Sequence, residues 1–324
     1  MFGRLIALFE PFVLALLGTV LLASVLPVRG ALVPLFGALT TAGIVLLFFL
    51  HGAKLSREAL YDGARHWQLH LAVLATTFIV LPLLGLGLTA LPFVHGPMAI
   101  GLLFLTLLPS TVQSSIAFTS IARGNVAAAV CSASFSNLLG IFVTPALVAL
   151  LMARSAGPGG ISIDSIEMIA LQLLAPFLAG HLLRPWIGGF VSRRKKLLTL
   201  VDRGSILLVV YTAFSAAVVE GLWQHSDGRA LALLLVLCCV LLAVVMLFTA
   251  GLGKVLGLAR PDAAVLLFCG SKKSLASGVP MAGVLFAPAQ VGAIILPLML
   301  FHQIQLIACA ALARRLGKAA DAPD

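Results

Sequence analysis

The sequence predicts an all-α integral membrane protein of about ten transmembrane helices, arranged as two inverted five-helix repeats with helices four and nine broken. Three observations predict this. Of 324 residues, 61% are hydrophobic and only 10% charged, against about 25% charged in a soluble domain. The basic residues gather on one side of the apolar runs, and two of those runs carry polar, helix-breaking stretches near their middles.

A run of about 20 apolar residues spans the hydrocarbon core of a bilayer. Such runs lie near residues 12–26, 33–53, 67–91, 98–121, 126–152, 166–183, 205–223, 230–257, 263–285 and 290–313. The first follows Arg4 but does not read as a secretory signal, because Glu10 and Pro11 interrupt it and no small-residue cleavage site follows. Cys131, Cys238, Cys239, Cys269 and Cys309 fall inside apolar runs without metal-ligand spacing, and read as small core residues.

The net charge of +10 does not point to nucleic acid, because of where the charges lie. Lysine and arginine mark the cytoplasmic side of membrane helices. With the N-terminus inside, the inner segments hold Arg4; Lys54, Arg57 and Arg65; Arg123; Arg184, Arg193, Arg194, Lys195, Lys196 and Arg203; Lys254 and Arg260; and Arg314, Arg315 and Lys318. The outer segments hold only Arg29, Arg154 and Arg229. The expected setting is a lipid bilayer, the cell (inner) membrane, with both termini cytoplasmic.

The glycine-rich stretch Arg154-Ser-Ala-Gly-Pro-Gly-Gly160 divides the runs five and five. The expected organisation is a first repeat over 1–153, an outer linker over 154–165 and a second repeat over 166–316. An odd number of spans inverts the second repeat, and carriers built this way place their site where discontinuous helices meet near the bilayer midplane. Run four carries Leu108-Pro-Ser-Thr-Val-Gln-Ser-Ser115, and run nine carries Cys269-Gly-Ser-Lys-Lys-Ser274. Proline removes a backbone donor and glycine weakens a helix. Backbone freed at membrane depth persists only where protein or a watery cavity satisfies it. One such kink is ordinarily absorbed by neighbouring helices; two at matching depths predict a cavity between them.

The fifth run of each half repeats the pattern, with Ser132, Ser134, Ser136 and Asn137 in run five and His302, Gln303 and Gln305 in run ten. Ser132 and Ser136 share a helix face. Membrane serines often only bond the preceding turn, whereas Asn137 and His302 are costly at this depth without partners. His302 reads either as a proton-sensitive group or as a neutral histidine held by Gln303 or a backbone carbonyl.

All eleven acidic residues lie in loops or near run ends, so the ionisable groups at mid-depth are His302, Lys272 and Lys273. A lysine at a helix centre costs about 2.5–3.5 kcal/mol on insertion scales. With no acidic partner at that depth, the ammonium groups call for hydroxyls, carbonyls at the break, water or an anionic ligand. Carbonyls ending a half-helix suit cations, and half-helix N-termini suit anions. Snorkelling is the alternative, opposed by about ten apolar residues on either side.

Through Ile121-Ala-Arg-Gly-Asn125, Phe268-Cys-Gly-Ser-Lys-Lys-Ser-Leu-Ala-Ser277 and Phe301-His-Gln-Ile-Gln305, the chain resembles the bile acid:sodium symporter family, in its divergent SBF-like branch, over essentially its whole length. The resemblance implies a panel of spans 1, 2, 6 and 7 packed on a core of spans 3–5 and 8–10, with the site at the crossed broken helices. It also implies alternating access. Typical sodium-coupled members build one sodium site from a Ser-Asn pair in span four, hydroxyls of span five and a glutamate in span nine. Here the pair reads Ser115-Ile116, Ser132 and Ser136 match the hydroxyls, and the glutamate position holds Phe268. The glutamine of the second site falls on Lys272. Both sodium sites are thus expected to be dismantled, and the coupling ion stays open between proton and sodium.

The leading expectation is a secondary active transporter of a small organic anion. Ser110, Thr111, Gln113, Ser114 and Ser115 would face Ser271, Lys272, Lys273 and Ser274, with Ser132, Ser136, Asn137, His302 and Gln303 behind them. Lys272 is expected to replace a sodium ion, while Lys273, about 100° further round a helix, aims at the anion. Two readings of other classes compete. One is an intramembrane enzyme pairing Ser271 or Ser274 with a lysine, although no accompanying catalytic motif is present. The other is a non-transporting membrane scaffold or regulator, which fits the lost sodium ligands but not the retained lysines. No nucleotide-binding loop or soluble domain appears, so neither ATP nor another cofactor is expected, and the chain is not expected to be an enzyme.

Overall fold

The computed structural model describes residues 11–54, 66–152, 170–221 and 228–321, and all regular structure among them is helical. The linker 154–165, together with Arg4, Glu10, Arg57, Glu58, Arg65 and Arg154, lies outside the described residues. In chain order the helices are α1 (Pro11–Val25), α2 (Leu32–Lys54), α3 (Trp67–Thr89), α4 (Gly96–Leu107), α5 (Gln113–Ile121), α6 (Val126–Met152), α7 (Ala175–Arg193), α8 (Lys195–Val219), α9 (Gly228–Val255), α10 (Arg260–Gly270), α11 (Leu275–Leu285) and α12 (Pro288–Asp321).

Six of them, α2, α3, α6, α8, α9 and α12, are long and apolar enough to cross a membrane alone. The shortfall from ten has local causes. Apolar runs four and nine are each split, into α4 with α5 and α10 with α11, so no piece reaches spanning length. Of helix α1, 15 residues are described, and α7 carries His181, Arg184 and Pro185 within its apolar sequence.

The chain divides into two compact units, one formed by Met1–Leu55, Ala153–Asp227 and Val279–Ile295, the other by Ser56–Met152, Gly228–Gly278 and Leu296–Asp324. In the first unit α2 and α7 touch backbone to backbone: a Cβ at Gly52 would collide with the Phe177 carbonyl, and one at Gly180 with that of Phe49. Small residues drive this kind of packing in membranes, where lipid is as apolar as leucine and close van der Waals contact replaces the hydrophobic effect. Leu50, Ala53, Val191 and Leu198 form the buried cluster beside that contact, and Lys54 pairs with Asp202.

In the second unit, buried Leu69, Val73, Ala129, Ala133, Val265 and Cys269 form one apolar cluster, and Phe118, Ala122, Leu267, Phe268, Cys309 and Ala313 another. The stretch from Ile121 to Asn125 is a helix stop followed by a helix start. Arg123 takes the left-handed conformation (φ 57°), and the Gly124 amide returns to the Thr119 carbonyl at 2.8 Å. Asn125 then caps α6, its Oδ1 accepting from the Ala128 amide at 3.0 Å. Its Nδ2 donates to Asp262 Oδ1 at 2.9 Å, which ties this cap to the first turn of α10. Within α3, residues Thr76–Val80 form a π-helical turn.

Candidate functional site

The second unit brings the two interruptions against each other. Pro109 cannot donate to continue α4, and Leu108 leaves the helix in extended conformation (φ −76°, ψ 155°). The last carbonyls of a helix have no partner within it, so those from Thr106 to Ser110 must be met from elsewhere. All five are. Lys273 Nζ donates to Thr106 O at 2.7 Å and Leu108 O at 2.6 Å. Thr144 Oγ1 donates to Leu107 O at 2.8 Å, the Ser274 amide to Pro109 O at 2.9 Å, and Asn137 Nδ2 to Ser110 O at 2.7 Å. The Ser110 amide in turn donates to Ser136 Oγ at 2.9 Å.

The end of α10 is satisfied reciprocally. Ser110 Oγ donates to Cys269 O at 2.5 Å and Ser115 Oγ to Phe268 O at 3.0 Å, while Ser271 Oγ turns back to Leu267 O at 2.6 Å. Across the gap, Gln305 of α12 holds the Lys273 backbone on both sides: its Oε1 accepts from the Lys273 amide and its Nε2 donates to the Lys273 carbonyl, each at 2.9 Å. That pairing fixes the orientation of the Gln305 amide. Its second N–H therefore donates to His302 Nδ1 at 2.8 Å, which makes that ring nitrogen an acceptor. Ser274 caps α11, receiving the Ser277 amide at 3.1 Å, and Ser277 Oγ reaches Asn137 Oδ1 at 2.8 Å.

Both lysines are 0% exposed, but they diverge. Lys273 Nζ has a third acceptor, Thr77 O, at 2.9 Å. The π turn supplies it, since an i→i+5 turn departs from the α-helical bonding register. Gly85 lets α3 approach α4, because a Cβ there would run into the Thr106 hydroxyl. Lys272 Nζ instead donates to Ser114 Oγ at 2.8 Å and lies 4.3 Å from the centre of the Phe118 ring, a cation–π contact. Ser114 donates to Thr111 Oγ1 at 3.1 Å, and Thr111 shares a hydrogen bond with Ser115 at 2.9 Å. The two lysines thus have the reverse of the environments expected from the sequence: Lys273 is the one set among carbonyls. The break removes the helical geometry on which the 100° spacing relied.

A profile of the SBF-like CPA transporter family matches residues 10–318. The chain belongs to that family. Among its relatives, "Uncharacterized protein PA2026" of Pseudomonas aeruginosa is 57% identical over 314 residues, covering 96% of this chain and 94% of the relative. "Putative symporter YfeH" of Escherichia coli is 54% identical over the same length and the same shares. "Sodium/bile acid cotransporter 7" of Rattus norvegicus is 27% identical over 269 residues, 82% of this chain and 78% of the relative. A transporter family with several spanning helices makes this an integral membrane protein whose context is a bilayer and a small-molecule substrate.

The residues of this SBF-like chain do not fit a sodium ion at the positions the resemblance implied. Phe268 is packed in the apolar cluster with Phe118, Ser132 Oγ is hydrogen-bonded to His70 Nδ1 at 2.7 Å, and Ser136 is engaged by Ser110. Lys272 places an ammonium at the second position. Nor does either serine offered as a nucleophile pair with a lysine, since Ser271 bonds Leu267 O and Ser274 bonds Ser277. Gln113, first in α5, is exposed. Gln303 Oε1 is buried with no partner among the described residues.

Sequence reasoning missed His70, Thr77, Thr106, Phe118, Thr144 and Ser277, and did not place Gln305 in the site. Ser277 and Gln305 stand three residues after Ser274 and His302, on the same helix faces, which is a usable signal. Thr77 and Thr106 take part through backbone oxygens and offer none.

Proposed function

We propose that the protein is a secondary active transporter of a small organic anion, with Lys272 as the positive group that meets the substrate. One observation carries this reading. The buried Lys272 ammonium lies at the first turn of α5, a helix whose N-cap residue, Val112, makes no side-chain capping bond. A helix N-terminus already favours an anion. An ammonium beside it, bonded to one serine and facing a phenyl ring, adds a second positive feature, and no carboxylate among the described residues pairs with it. Ser114 and Thr111 supply hydroxyls at the same place.

The reading carries an architecture with it: ten spans as inverted repeats over 1–153 and 166–316, and a panel of spans 1, 2, 6 and 7 with a core of spans 3–5 and 8–10 working by alternating access. The matched breaks at 108–112 and 271–274 support the first. The division of the chain into two units supports the second, although residues 279–295 group with the panel segments. Of the two coupling ions left open, the ligand set argues for a proton over sodium. Both termini are assigned to the cytoplasm of the inner membrane, which reporter fusions at each end test directly.

The deciding experiment is a thermal-shift screen of purified protein in detergent over organic anions. It includes a bile acid, because of the relative's name, and compares wild type with Lys272→Met. A saturable anion-induced rise in melting temperature in wild type, lost in Lys272→Met, is expected. An anion that stabilises both proteins equally would remove Lys272 from the site.

A further inference from the structure

Lys273 Nζ shares no hydrogen-bond partner with Lys272 Nζ, the group assigned to the substrate, and its own surroundings are complete. Three backbone oxygens, from Thr77, Thr106 and Leu108, converge on its nitrogen at 2.9, 2.7 and 2.6 Å. An ammonium has three N–H donors and no acceptor, so donors and acceptors match one to one. A neutral amine has two N–H groups and would leave one of these carbonyls facing a lone pair. Sets of carbonyl oxygens are also what replaces the hydration shell of a small monovalent cation.

The neighbouring carbonyls draw on other donors. Between Thr106 and Ser110 the other three oxygens are held by Thr144, the Ser274 amide and Asn137, and the Thr77 oxygen comes from the π turn. Taking away the ammonium would leave three buried acceptors aimed at one volume, an arrangement that costs free energy for each unmet group.

We propose that these three carbonyls form a monovalent-cation site, permanently occupied by the tethered ammonium of Lys273. The second unit carries its own cation, and its folding needs no free one. When the side chain is cut short, the same cage becomes a site for sodium or for a small primary alkylammonium. The proposal is independent of what is transported, since it concerns the stability of the unliganded protein.

The test uses the full-length protein in detergent, with melting followed in sodium chloride, choline chloride and n-propylammonium chloride at equal ionic strength. Wild type is expected to melt at the same temperature in all three. Lys273→Ala is expected to melt about 5 °C or more lower in choline, and to recover in a saturable way with sodium or propylammonium, whose primary ammonium can enter where choline cannot. Lys273→Met fills the volume without charge, and is expected to be weakened alike in every salt. A Lys273→Ala protein that stays unfolded or equally weakened whatever the cation overturns the proposal. So does one as stable as wild type in choline, or a wild type that responds to sodium or propylammonium as the alanine variant should.

Discussion

Lys272 and Lys273 are neighbours in sequence and equally buried, yet they end in opposite chemistry. Lys273 crosses to the carbonyl end of α4, where a helix is partially negative, and saturates three acceptors. Lys272 turns to the start of α5, where a helix is partially positive, and finds one hydroxyl and a ring. The difference lies in where each side chain arrives, since both leave from the same four-residue break. At a discontinuity between half-helices, a cation that reaches a C-terminus becomes part of the structure. One that reaches an N-terminus remains available to a ligand.

The largest effect should come from removing the two charges separately. Lys273→Met is expected to cost about 3 kcal/mol or more, because it strands buried acceptors, and Lys272→Met about 1 kcal/mol, for a hydrogen bond and a cation–π contact. Chemical or thermal denaturation in detergent measures both. Equal losses would break the contrast. A smaller effect, about 2 kcal/mol, is expected for Gln305→Leu, which strips both partners from the Lys273 peptide and leaves the Lys272 side chain untouched. Hydrogen exchange should then accelerate in the segment 271–275 while anion binding by Lys272 persists; unchanged exchange would show that Gln305 does not secure the break. The smallest change in stability, within about 1 kcal/mol, belongs to Ser114→Ala. That variant should weaken anion affinity several-fold while its melting temperature stays close to wild type. A drop in stability matching that of Lys273→Met would mean that Lys272 is structural after all.

The breaks were legible because proline, glycine and charge in an apolar run are rare and each has a local backbone consequence. Pro109, Gly270 and the lysine pair therefore located the two breaks, and Asn137, Ser136 and His302 are buried or half-buried and bonded around them. The destination of each lysine was not legible. The acceptors of Lys273 are backbone oxygens of Thr77, Thr106 and Leu108, and every residue carries such an oxygen without advertising it. Apolar length alone does not count such a run as a span, because an interruption at its centre yields two short helices, as α10 and α11 show.

The π turn in α3 has a consequence for angular phase. A single i→i+5 turn holds one residue more than an α-helical turn, and each residue advances a helix by about 100°. Counted straight through, Val73 and Gly85 would lie about 120° apart; discounting one residue brings them within about 20°. Leu69, Val73, Leu81 and Gly85 are all buried, so α3 keeps one inward face along its length only because a residue is looped out between them. Deleting a single residue from 78–80 would leave that face in line, but it would set Pro82 four residues after Thr77, where its ring clashes with that carbonyl and no N–H bonds it. The extra residue thus does two things at once: it seats Pro82 without that clash, and it leaves the Thr77 carbonyl, whose i+5 partner has no N–H, free to face Lys273.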